Sequence, residues 1–149
     1  MKQIKTALLM LVVCTLTFSS CKKDSAKTSV SLKVTIDGVT KTASHVVATY
    51  YKSENTLQLM ATFSGTENVS LMIENVKVGN FDASSDEVLT TYATTNDFAN
   101  TYTGDSGQVV ISTFGNGTIS GTFNFVATNT SSATKTLTAG SFNTTYVSQ

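Results

Sequence analysis

From Val30 onward, apolar residues return at every second position. Val30, Leu32, Val34 and Ile36 share one side of an extended chain, and Ser31, Lys33 and Thr35 take the other. That is the period of a half-buried strand, since successive side chains of a strand point to opposite faces while a helix repeats every 3.6 residues. The same rhythm returns in Leu57, Leu59, Ala61 and Phe63, in Val69, Leu71 and Ile73, and in Ile119, Gly121, Phe123, Phe125 and Ala127. Threonine, valine, tyrosine and phenylalanine favour this pleated surface. No proline interrupts it anywhere in the chain.

Turn chemistry separates the runs. Asp37-Gly38 is a strong hairpin signal because both residues accept positive φ. Lys52 to Thr56, Ser64 to Asn68, Gly115-Asn116-Gly117 and Asn129 to Thr134 are the other polar breaks. Strands are expected over 30–36, 39–42, 46–51, 57–63, 69–73, 88–95, 108–114, 118–128 and 135–146, with a shorter apolar stretch at 76–81. Residues 82–87 read as a loop with room for one helical turn, and 96–107 as the longest irregular segment. Gly121 lies in phase with Ile119 and Phe123, where a missing side chain admits a neighbour. In the last strand Leu137 and Ala139 keep one phase and Phe142 and Tyr146 the other, so a β-bulge is expected at Gly140. The fold class is therefore all-β. About eight strands joined by short turns make a single antiparallel meander, because parallel pairing needs long crossovers. Such a sheet hides its edges by rolling into a barrel-like form or folding into a β-sandwich. The lack of a long Greek-key connection favours rolling.

The residues before Val30 belong to a different grammar. Lys2 and Lys5 give a basic start, Ala7 to Leu16 form an apolar run, and Phe18-Ser19-Ser20 leads to Cys21. This order of parts reads as a bacterial lipoprotein signal. The apolar run is about half of the roughly 20 residues a spanning helix needs. The expected organisation is a cleaved signal peptide at 1–20, a lipidated Cys21 with a flexible tether at 21–29, and an all-β domain at 30–147. Lipid on Cys21 makes the membrane the first expected partner. One acyl chain binds only reversibly, whereas three on one residue hold permanently.

Composition then removes whole classes of chemistry. Cys14 lies in the leader and Cys21 takes the lipid, and these are the only two cysteines. The domain is left without disulfides, thiolate catalysis or cysteine-bound zinc. All ten basic residues are lysines, and losing Lys2 and Lys5 with the leader leaves the domain slightly acidic. Nucleic-acid sites rest on arginine forks and basic clusters, so no nucleic-acid partner is expected.

His45 is the sole histidine. Its neighbour Ser44 points to the opposite face of a strand and cannot serve it as a nucleophile. The acids sit in turns, without facing pairs on strands for glycoside hydrolysis and without the ligand spacing of a calcium loop. No enzyme activity, cofactor or metal is expected. The best candidate contacts are in the 96–107 segment, where Phe98 and Tyr102 could stack on a sugar ring while Asp97, Asn100 and Asp105 take hydroxyls. Long loops on rigid sheets often carry function. The favoured alternative is that both rings plug one end of the barrel, with the more apolar Phe98 as the deeper anchor.

Gly107-Gln108-Val109-Val110-Ile111, Ile119-Ser120-Gly121-Thr122-Phe123-Asn124-Phe125 and Gly140-Ser141-Phe142-Asn143 resemble a family of small, uncharacterised lipoproteins of Bacteroidetes-type bacteria. Val34 to Gly38 resembles the opening hairpin of the same family. The resemblance implies an envelope location and an all-β domain of unknown function, and no catalytic residue. Lys22-Lys23-Asp24 resembles tags that send such lipoproteins to the outer face of the outer membrane, and Asp24-Ser25-Ala26 an O-glycosylation site. The function expected is a lipid-anchored, non-enzymatic binding or structural module at the outer membrane, periplasmic or surface-exposed, whose partner is a glycan or an envelope protein. The alternative is a carrier of a small apolar ligand inside the barrel. The inner face decides between them: if Leu32, Val34, Leu59, Phe63, Leu71, Ile111, Phe123 and Phe125 fill it, the carrier has no room.

Overall fold

The computed structural model describes residues 30–149; the expected signal peptide, Cys21 and the tether lie outside the described residues. The strands are β1 (Ser31–Ile36), β2 (Val39–Thr42), β3 (His45–Tyr51), β4 (Thr56–Thr62), β5 (Asn68–Ile73), β6 (Gly79–Asp82), β7 (Val88–Ala93), β8 (Thr101–Gly115), β9 (Thr118–Thr128), β10 (Thr134–Thr145) and β11 (Val147–Ser148). All belong to one sheet, curled into a half-barrel. A single sheet excludes the sandwich. Among the described residues there is no α-helix. Eleven strands exceed the expected count of about eight; the short β2 and β6 fall on or beside segments read from the sequence, and β11 was not expected.

A meander of antiparallel neighbours runs β3-β4-β5-β7-β8-β9-β10. The β1–β2 hairpin then docks on the far side of β10, with Ser31 opposite Asn143 and Ile36 opposite Leu137. Its second strand does not end the sheet. Ala43 N–H donates to Leu32 O at 2.8 Å, and Ser44 N–H donates to Thr62 O at 2.8 Å. One continuous stretch of chain thus leaves β1 and takes up β4. β1 acts as a wedge between β10 and β2, which run the same way because each is antiparallel to β1. Where the wedge ends, the continuations of those strands meet directly, Val147 of β11 beside Thr49 of β3. This explains the one parallel pair among the described residues, which a simple meander does not contain. On the opposite side β8 pairs with β7 only over Thr101–Thr103 and then with β6 from Gln108, so the curl is split there.

The interior is a single apolar cluster drawn from every long strand. The eight residues that decide the carrier question are all buried in it. Phe123 and Phe125 stack with ring centroids 6.0 Å apart, and Phe142 approaches Phe123 at 6.4 Å. Gly121 makes that approach possible: a Cβ there would lie 2.7 Å from Phe142 Cζ and 2.1 Å from Val110 O. The expected bulge lies between Leu137 and Gly140. Ala139 is its turning residue, with φ of +49°, and is exposed. It does not share the inward phase of Leu137, because the inserted residue rotates it outward. Gly140 takes the inward slot, where a Cβ would sit 2.6 Å from the Phe123 ring. The core side chains point in, joined by buried Thr56, Thr90 and Thr144, while the other threonines of the strands are partly or fully exposed.

The expected irregular segment at 96–107 is mostly strand. Only residues 94–100 leave the sheet, with a short 3-10 turn at Phe98–Asn100, and β8 runs from Thr101 to Gly115. Its glycines, Asp105 and Ser106 read as loop by composition but form a bulged strand. The register slips between Gly104 and Ser106. A Cβ on Gly104 would meet Thr90 Oγ1 at 1.9 Å, and one on Gly107 would meet Asn124 O at 2.2 Å. Close approach, not flexibility, is what these glycines supply. Of the apolar 76–81 stretch, only its end joins β6, paired with distant β8. Residues 83–87 hold no helical turn.

Candidate functional site

The registers place four connections at one end of the half-barrel: Asp37-Gly38, 64–67, 94–100 and 129–133. Val30, where the described chain enters, lies at the other end with 52–55 and 115–117. The 94–100 connection is fastened by its own side chains. The Asp97 carboxylate accepts Ala99 N–H at 3.2 Å and the Asn100 amide at 3.2 Å. Asn129 Nδ2 donates to Ala99 O at 3.2 Å, clipping this loop to the β9–β10 turn.

The five candidate contacts are therefore dispersed. Phe98 stands free at the loop tip, 77 % exposed, while Tyr102 is only 8 % exposed inside the sheet. The expected joint plug divides: Tyr102 seals the end, and Phe98 does not. Asp97 and Asn100 bond each other. Asp105 is exposed on the β8 bulge, beyond the loop. His45 is exposed at the start of β3. Among the described residues, no three histidine, cysteine, aspartate or glutamate side chains gather to hold a metal ion.

Beneath the loops lies a cluster that sequence reasoning missed. Lys41 of β2 pairs with Glu67 of the β4–β5 turn, and Tyr92 O–H donates to the same carboxylate oxygen. The Tyr92 ring lies 6.0 Å from that of Tyr102. Lys135 Nζ sits 5.9 Å from the Tyr102 centroid and 2.7 Å from the Asp37 carboxylate. Asp37 also accepts the Thr136 N–H at 3.0 Å. The chain of contacts ties two turns, 37–38 and 64–67, to β2, β7, β8 and β10 across the barrel mouth.

Burial disfavours ionised Glu67, but the hydrogen bonds from Lys41 and Tyr92 and the lysine charge outweigh it and hold its carboxyl below the ordinary 4.5. Burial, then the hydrogen bond and charge of Glu67, push the Tyr92 phenol well above 10.0. A hydrogen bond from Lys135 keeps Asp37 below 3.8. Neither Glu67 nor Tyr92 exchanges its proton near neutral pH, so their bond is a fixed clamp. The partners lie 25 to 26 residues apart, which no local pattern reveals. The available signal was Tyr92 itself: in phase with Val88 and Thr90, a buried phenol needs a partner.

At the opposite end Tyr50, Phe114 and Tyr146 pack edge-to-face and tilted, with centroids 5.1 to 5.7 Å apart. Tyr50 O–H donates to Asn55 Oδ1 at 3.0 Å.

A family model described as a domain of unknown function (DUF6252) matches residues 28–145. No curated protein and no solved structure matches the chain.

Proposed function

The chain belongs to the DUF6252 family of domains of unknown function, and we propose that it is a lipid-anchored, non-enzymatic envelope protein that carries a small binding module at the outer membrane. The leader pattern before Cys21 supports the anchor, and the family match begins at residue 28, near the end of the expected 21–29 tether. One observation carries the orientation. β1 enters at the end opposite the 94–100 loop, so an anchor on Cys21 holds one end to the membrane and presents Phe98 and its neighbouring turns away from it. A glycan or another envelope protein is the partner class that this presentation suits. The alternative, a carrier of an apolar ligand, gains nothing from an interior already occupied by Leu59, Leu71, Ile111, Phe123 and Phe125.

Attachment is tested at one atom. Cys21→Ser removes the thiol that would take the lipid, so the variant should lose incorporation of labelled fatty acid and leave the membrane fraction or stay uncleaved. A variant still cut after Ser20 and still labelled would sink the reading.

A further inference from the structure

The outer wall holds a groove that the loop-end reading does not use. It is an open hollow of about 210 Å³ lined by Ser106, Gly107, Asn124, Phe125, Val126, Thr136, Leu137 and Thr138. Two bulges make it. Phe125 of β9 is flanked by Gly107 of β8 and Leu137 of β10. The β8 register slips just before Ser106, and the β10 register slips just after Leu137. Each bulge bends its strand and sharpens the local twist, so the wall is hollowed between them. Gly107 leaves the floor bare and cannot be otherwise: its φ is +131°, and a Cβ would strike Asn124 O at 2.2 Å.

The lining has one chemical character. None of its residues is charged. Ser106, Asn124, Thr136 and Thr138 are exposed around it, together with Val126. Elsewhere on the wall two pairs of hydroxyls bond each other, Thr35 with Thr40 and Thr113 with Ser120. The four around the groove have no side-chain bond of this kind among the described residues, so their donors and acceptors are open to a ligand. Val126, the threonine methyls and the bare backbone of Gly107, over the core-facing Phe125 and Leu137, make an uncharged surface with a neutral hydrogen-bonding rim, which matches a sugar ring with its C–H face and hydroxyls at its edge. The volume lies below the roughly 300–1,000 Å³ of drug-sized sites, leaving room for one ring.

The geometry points to a single neutral pyranose unit as the occupant of this groove. The inference narrows the glycan arm of the proposed function and places it away from Phe98; it does not depend on the lipid anchor. The test is titration of the isotope-labelled full chain, in detergent micelles, with methyl glycosides of glucose, galactose, mannose and N-acetylglucosamine, read from backbone amide shifts. At least one glycoside should give saturable shifts at Ser106, Gly107, Asn124, Val126 and Thr138. Asn124→Ala should weaken that binding about fivefold, the loss expected of one neutral hydrogen bond. Thr138→Trp, at an exposed position, should abolish it by filling the groove while leaving the rest of the spectrum folded. No saturable shift with any of the four, or shifts centred on Phe98 instead, overturns the inference. Failure here leaves the Cys21 result standing, and failure at Cys21 leaves this binding standing.

Discussion

Two aromatic residues four positions apart have opposite fates, and the reason is strand parity. Tyr102 falls on the inward phase of β8 opposite Tyr92, while Phe98 sits in the 3-10 turn before the strand begins. Apolarity alone made Phe98 the expected anchor; position overrules it. Tyr102→Ala should therefore cost ~3 kcal/mol or more, the scale of losing a buried ring, and lower the melting midpoint by several degrees. Phe98→Ala should stay within about 0.5 kcal/mol of the parent, as exposed substitutions do. Thermal unfolding of both variants decides the matter, and equal losses would mean that the loop folds down over the barrel mouth.

The strand of each alternating run was legible because its period was clean. Ile119, Phe123 and Phe125 are inward as their spacing requires, and Gly121 admits Phe142 as a missing side chain should. Segment 96–107 was illegible for a physical reason: Gly104 and Gly107 are dictated by Thr90 and Asn124, which are distant in sequence, so a bulged strand carries a loop's composition. The last strand shows the same limit, since Ala139 turns outward although its spacing from Leu137 says inward. The candidate site was harder still: its one free ring, Phe98, was named, but the clamp below it depends on contacts that only the closed sheet brings together. At this scale β9 supplies the test. Phe123→Ala or Phe125→Ala should each remove about 3–5 kcal/mol, a large part of the roughly 5–15 kcal/mol that holds a small domain. Thr122→Ala, on the outer face between them and Gly121, should change stability little. Denaturant midpoints that fall by the same small amount for all three would mean the strand is inverted.

The whole molecule is held shut at its loop end by ionised and protonated groups that must keep their states together. Glu67 is lowered below 4.5 and Asp37 below 3.8, so each stabilises the fold most fully above those ordinary values. That contribution disappears as pH falls through the still lower values of the folded protein. Tyr92 works in the other direction. Its phenol is raised above 10.0, so its contribution is complete below that value and fades as pH climbs toward the folded one. The melting midpoint should accordingly be flat from about pH 5 to 9, decline on the acid side below about pH 4.5, and decline again above about pH 10. Surface pairs contribute at most about 1 kcal/mol each, so the Lys135–Asp37 pair supplies a small share and the half-buried Glu67 clamp the larger one. Glu67→Gln keeps the shape but removes the charge that both Lys41 and Tyr92 address. It should lower the plateau, flatten the acid decline and trim the alkaline one only in part, because burial is the larger cause of the raised Tyr92 phenol and the Glu67 carboxylate supplies the rest. Lys135→Met should trim only the acid side. An unaltered alkaline decline in Glu67→Gln would show that Tyr92 is held by burial alone, and the clamp would then not join the two ends of the pH profile.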